Sequence, residues 1–105
     1  MHNEVIVARY AQGTSIAAAM KHYPKSGSTR LKVLEYIIRK GFEGATDQEI
    51  EATLHMDGNT VRPSRLLLLK HGFIVNSGLT RENKNGNPCI VWKAVENNGL
   101  QLGLL

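Results

Sequence analysis

The chain has 105 residues, a formal net charge of +4, a pI near 9.5 and 42% hydrophobic residues, which suits one small core and leaves little room for a second domain. Cys89 is the single cysteine, so an internal disulfide and a multi-cysteine metal site are both excluded. No apolar stretch approaches the roughly 20 residues a spanning helix needs, and Glu4 and Arg9 interrupt the apolar run at residues 5–8, so neither an anchor nor a signal peptide is expected and a soluble, cytoplasmic protein is.

Residues 1–27 read as an N-terminal extension. Residues 4–10 suit a short strand and residues 15–22 a short helix, with partial disorder the alternative. Pro24, Lys25, Ser26, Gly27 and Ser28 read as a linker or loop. From residue 28 the pattern sharpens. Ser28 or Thr29 caps a helix carrying Leu31, Leu34, Ile37 and Ile38, with Arg39 and Lys40 in its last turn and Gly41 as a stop. Thr46 and Glu49 form a capping box for a second, short helix that buries Ile50 and Leu54. Met56, Asp57, Gly58 and Asn59 form the next turn, with Gly58 supplying positive φ and Asn59 or Thr60 capping a third helix. Pro63 then falls in the first turn of that helix, where a missing N–H costs nothing.

The third helix runs to Gly72. Phe73, Ile74 and Val75 read as a strand, Ser77-Gly78 as a turn, and residues 79–82 as a second strand pairing with residues 89–95. The connection between them contains Asn85-Gly86, a strong hairpin signal. Three helices followed by a small antiparallel sheet define an α+β fold over residues 28–95. Residues 96–105 form an apolar tail, in which Leu102 and Leu104 belong to a run of four leucines in six residues.

Charge is distributed in blocks. Residues 1–40 hold seven Lys or Arg against two acids, residues 41–57 hold five acids and no base, and residues 58–95 hold six bases against Glu82. An acidic block between two basic ones points to a surface with one positive side, suited to a polyanion.

The stretch Ala45-Thr46-Asp47-Gln48-Glu49-Ile50, then Gly58-Asn59-Thr60-Val61, Leu68 and Gly72-Phe73-Ile74 resembles the winged helix-turn-helix superfamily. Residues 77–92 resemble its wing. The ensemble is similar to small winged-helix proteins encoded by bacteriophages and bacteria, and covers about two-thirds of the chain. The resemblance implies a small, phage-type transcriptional regulator that binds double-stranded DNA sequence-specifically, with residues 60–71 in the major groove and the hairpin 79–93 as wing. It assigns Asn59, Thr60, Arg62 and Ser64 to the recognition helix, with Arg65 ranked behind them because it falls near the core face. Arg62 would pair with guanine and Asn59 with adenine or phosphate. Arg81, Lys84, Asn85 and Asn87 would lie along the backbone or a minor groove.

Two departures favour a second reading. Leu66, Leu67, Leu68 and Leu69 cover every side of a helical turn, so they cannot all face one core. Either the N-terminal segment covers Leu66 and Leu67 and the tail with Leu102 and Leu104 folds back over the core, or these leucines serve a homodimer or a protein partner such as a host polymerase or another regulator. No cofactor and no enzymatic site is expected. The histidines at 2, 22, 55 and 71 lack metal-ligand spacing, and His55 and His71 read as helix-end residues whose imidazolium suits the dipole. Cys89 reads as a buried strand residue, and Phe42, Phe73 and Trp92 as core rather than stacking platforms.

Overall fold

The computed structural model of the chain describes residues 21–95. Those residues form three helices, α1 (Thr29–Lys40), α2 (Asp47–Leu54) and α3 (Gly58–Lys70), and a hairpin of β1 (Ile74–Glu82) and β2 (Pro88–Ala94), with a 3₁₀ turn Gly41–Glu43 after α1. The fold is α+β. The predicted strand and helix before residue 21 and the apolar tail, including Leu102 and Leu104, lie outside the described residues.

Helix starts follow their caps. The Ser28 hydroxyl accepts the Leu31 N–H at 3.1 Å, and α1 stops at Gly41, whose φ of 55° is open to glycine. At α2 the capping box closes in both directions: Glu49 N–H donates to Thr46 Oγ1 at 3.2 Å, and Thr46 N–H to Glu49 Oε1 at 3.1 Å. The predicted turn into α3 is corrected in two respects. His55, with φ 56° and ψ 47°, supplies the left-handed residue that ends α2, whereas Gly58 has no positive φ and is the first residue of α3. The cap of α3 is Asp57, whose carboxylate accepts the Thr60 N–H at 3.0 Å, and not Asn59 or Thr60. Pro63 consequently sits inside the helix and removes the bond its N–H would have given to the Asn59 carbonyl.

The core joins Val33, Leu34, Tyr36 and Ile37 of α1 with Ile50 of α2, Val61 and Leu68 of α3, and Phe73, Ile74, Trp92 and Val95. These are the inward positions of three amphipathic helices closed by one sheet face, and each fully buried aliphatic or aromatic side chain stabilises the fold by about 1.5–3 kcal/mol before entropy is counted. Phe42 was expected in this core and is instead 86% exposed, because the 3₁₀ turn carries it outward, where the Lys93 ammonium lies 5.0 Å from its ring centroid.

The expected break at Ser77-Gly78 is a bulge within one continuous strand. Asn76 pairs with Trp92 and Thr80 with Ile90, so three residues of β1 face Val91 alone. Gly78 takes φ 88° there, a conformation natural to glycine in a bulge. On its other edge β2 holds a single bridge to Ala45, with Ala45 N–H to Trp92 O at 2.9 Å and Trp92 N–H to Ala45 O at 2.8 Å. Gly44 precedes the bridge at φ 65°, and a Cβ there would lie 2.6 Å from Val91 Cγ1 and 2.7 Å from the Trp92 carbonyl oxygen. The hairpin thus seats against the segment between α1 and α2 because residue 44 has no side chain.

Candidate nucleic-acid interface

The outward face of α3 consists of Asn59, Arg62, Pro63, Leu66 and Lys70, all exposed and spaced three or four residues apart. Arg62 folds back along the first turn, where its Nη2 donates to Asn59 Oδ1 at 3.3 Å. Its guanidinium occupies the space a Cβ on Gly58 would need. A Cβ at residue 58 would meet only the movable end of this exposed side chain. Thr60 is exposed, and Ser64 is half-buried on the flank with Leu67. Leu66 is 54% exposed and stands one turn beyond Arg62 on the same stripe, so polar and apolar groups share one face.

Arg65 and Arg81 differ from the other candidate contacts, because their guanidinium groups are already committed within the protein. Arg65 Nε and Nη2 donate to the two carboxylate oxygens of Asp47 at 3.0 and 2.7 Å, and its guanidinium carbon lies 4.4 Å over the Trp92 ring. Arg81 Nε and Nη2 donate to Glu49 at 2.7 and 2.8 Å. It also donates to the Glu43 and Gly44 carbonyls at 3.3 and 3.2 Å. That hydrogen bonding holds the Glu49 carboxyl below its usual range despite partial burial, with the Thr46 N–H adding to the effect. Arg65 ties α3 to α2 and Arg81 ties the hairpin to α2. The acidic block is thus partly consumed by these pairs and by Lys40–Glu43 at 3.1 Å. Arg65, Arg81 and Lys40 therefore spend their charge on the acidic block.

At the hairpin tip, Lys84, Asn85 and Asn87 are exposed. The Asn83 side chain organises the loop by accepting the N–H groups of Asn85 and Asn87 at 2.8 and 3.0 Å, and Gly86 takes φ 84°. Asn83 was not singled out from the sequence, although an Asn two residues before the turn is a known way to satisfy loop backbone. Cys89, expected to be buried, is partly exposed on β2 opposite Arg81.

His71 caps the C-terminal end of α3, as its position predicted, but it does not favour the imidazolium. Its pKa is lowered, first by burial and then by His22, Lys70 and Arg30. His22 stacks on it with ring centroids 3.9 Å apart. Among the described residues, no group of three or more His, Cys, Asp or Glu could hold a metal ion, and no helix is long and apolar enough to cross a membrane. No protein-family model, curated protein or solved structure matches the chain.

Proposed function

We propose that this chain is a winged helix-turn-helix protein that binds double-stranded DNA as a small transcriptional regulator. In this reading α3 enters the major groove and presents Asn59, Thr60, Arg62 and Ser64, while Lys84, Asn85 and Asn87 on the hairpin tip contact the sugar-phosphate backbone. Arg65 and Arg81 leave the contact set and become positioning residues that fix α3 and the wing to α2. The observation that carries the proposal is the exposed Asn59–Arg62 pair on the first turns of a capped helix. Both side chains can make paired hydrogen bonds to base edges.

Duplex affinity is expected to fall steeply with added salt, with a slope set by the phosphates contacted. Arg62→Ala is expected to weaken a preferred site by about 5- to 150-fold, the equivalent of roughly 1–3 kcal/mol, with a much smaller effect on random DNA. Electrophoretic shifts against random and genomic fragments test both statements, and undetectable or salt-insensitive duplex binding refutes the proposal. A second reading, in which this face docks a protein, is favoured by the exposure of Leu66. Leu67, half-buried, contributes less to such a surface than the sequence suggested. Under that reading alone, the wild-type chain shows no duplex affinity for Arg62→Ala to remove.

A further inference from the structure

Away from the outward face of α3, the segment before α1 is anchored to the body of the protein at three successive residues. His22 stacks on His71, Tyr23 meets the Phe73 ring edge-on at 5.6 Å, and Pro24 is buried. Between this segment and the first turn of α1 lies a cavity of about 310 Å³, lined among the described residues by Lys21, His22, Tyr23, Lys25, Ser28 and Arg30. The hollow is open to solvent on one side and has room for a tetrahedral oxyanion.

The lining is chemically one-sided. Three cations and an imidazole face the space with no acid among them, and none of Lys21, Lys25 and Arg30 has an ion pair among the described residues. Burial, and after it the charge of Glu35, raises the Tyr23 pKa. The Ser28 hydroxyl is engaged as the cap of α1, so the recognition would come from the surrounding side chains rather than from the helix end. Lys70 and Arg30 extend the same positive field to His71.

We propose that this cavity is a binding site for a phosphate group, held chiefly by Lys25 and Arg30 with His22 and Tyr23 as further donors. Arginine and lysine are the side chains that match phosphate oxygens by charge-assisted hydrogen bonds, and neighbouring like charges that have no counter-ion among the described residues gain from receiving one. The site is independent of the α3 reading, because free phosphate can fill it whether or not duplex DNA binds elsewhere.

The test is a titration of the full chain with inorganic phosphate at low ionic strength, followed by amide and imidazole chemical shifts. Saturable shifts at His22, Tyr23, Ser28 and Arg30 are expected, and Lys25→Gln and Arg30→Gln should each weaken binding by about tenfold. Lys32→Gln, which removes a charge from α1 outside the cavity, should leave it unchanged. The proposal is overturned by non-saturating shifts, or by equal losses in all three variants, which would indicate a diffuse charge effect. A second arm measures duplex affinity in the same variants. A parallel loss there assigns the phosphate to a nucleic-acid backbone, and an unchanged duplex affinity assigns it to a small phosphorylated ligand.

Discussion

Replacing Arg65 with alanine removes the strap between α3 and α2. The guanidinium makes two hydrogen bonds to Asp47, at 3.0 and 2.7 Å, and covers Trp92, which is 5% exposed. An exposed ion pair contributes about 0–1 kcal/mol, whereas deleting one partner of a buried pair costs about 3–5 kcal/mol. The two side chains are 13% and 22% exposed, which places this pair nearer the buried limit, although Asp47 regains some water once Arg65 is gone. Loss of the contact with the indole adds about 0.5–1 kcal/mol. The expected cost is therefore about 2–3 kcal/mol, and at roughly 4–8 °C per kcal/mol for a domain of this size the midpoint should fall by about 10–20 °C. Urea melts followed by the fluorescence of Trp92, the single tryptophan, report the transition at the site itself. Arg65→Lys should fall between wild type and alanine, because it retains charge without the planar fork. A double-mutant cycle with Asp47→Ala should give a coupling of about 1–2 kcal/mol. An Arg65→Ala chain within about 0.5 kcal/mol of wild type would mean that the strap carries no stability and would return Arg65 to the pool of free surface charges.

Two further outcomes follow from the packing around α2. Gly44→Ala should cost more than about 2 kcal/mol in urea, because the new Cβ meets the Trp92 carbonyl, which cannot rotate away, in addition to left-handed strain. Gly78→Ala, at φ 88° but with open space around it, should cost about 1–2 kcal/mol from left-handed strain alone. Glu49 has a folded pKa below its unfolded value, chiefly through Arg81. Its contribution to stability is therefore complete above the unfolded carboxyl pKa and is lost as pH falls through the lower folded value. Arg81→Gln should accordingly destabilise the protein near neutrality and differ less from wild type in strong acid; an offset that stays constant with pH would show that Glu49 is not the group responsible.

Local chemistry was legible in the sequence where one or two neighbouring residues decide the backbone. The Ser28 cap, the Thr46/Glu49 box, the Gly41 stop and the Asn85-Gly86 turn are all of this kind. Ambiguity arose where several suitable residues compete. Asp57, Asn59 and Thr60 can each cap a helix, and the structure uses Asp57. Phe42 has the composition of a core residue, but a short 3₁₀ turn determines its direction. Least legible were the arginines, whose partners lie 18 and 32 residues away. Charge counts along a chain record how many ions exist but not which of them meet after folding. The candidate site is smaller for that reason, losing Arg65 and Arg81 and keeping Asn59, Thr60, Arg62, Ser64 and the hairpin tip.

The bridge between Ala45 and Trp92 has a consequence for how the molecule assembles. It is two hydrogen bonds long, yet it closes a loop that contains α2, α3 and β1. Ordering so much chain for so few bonds is entropically unfavourable until the enclosed helices have packed. The seam at residue 92 is thus expected to form late and to open with the whole domain, so that the hairpin shares the stability of the helices instead of fraying as a separate arm.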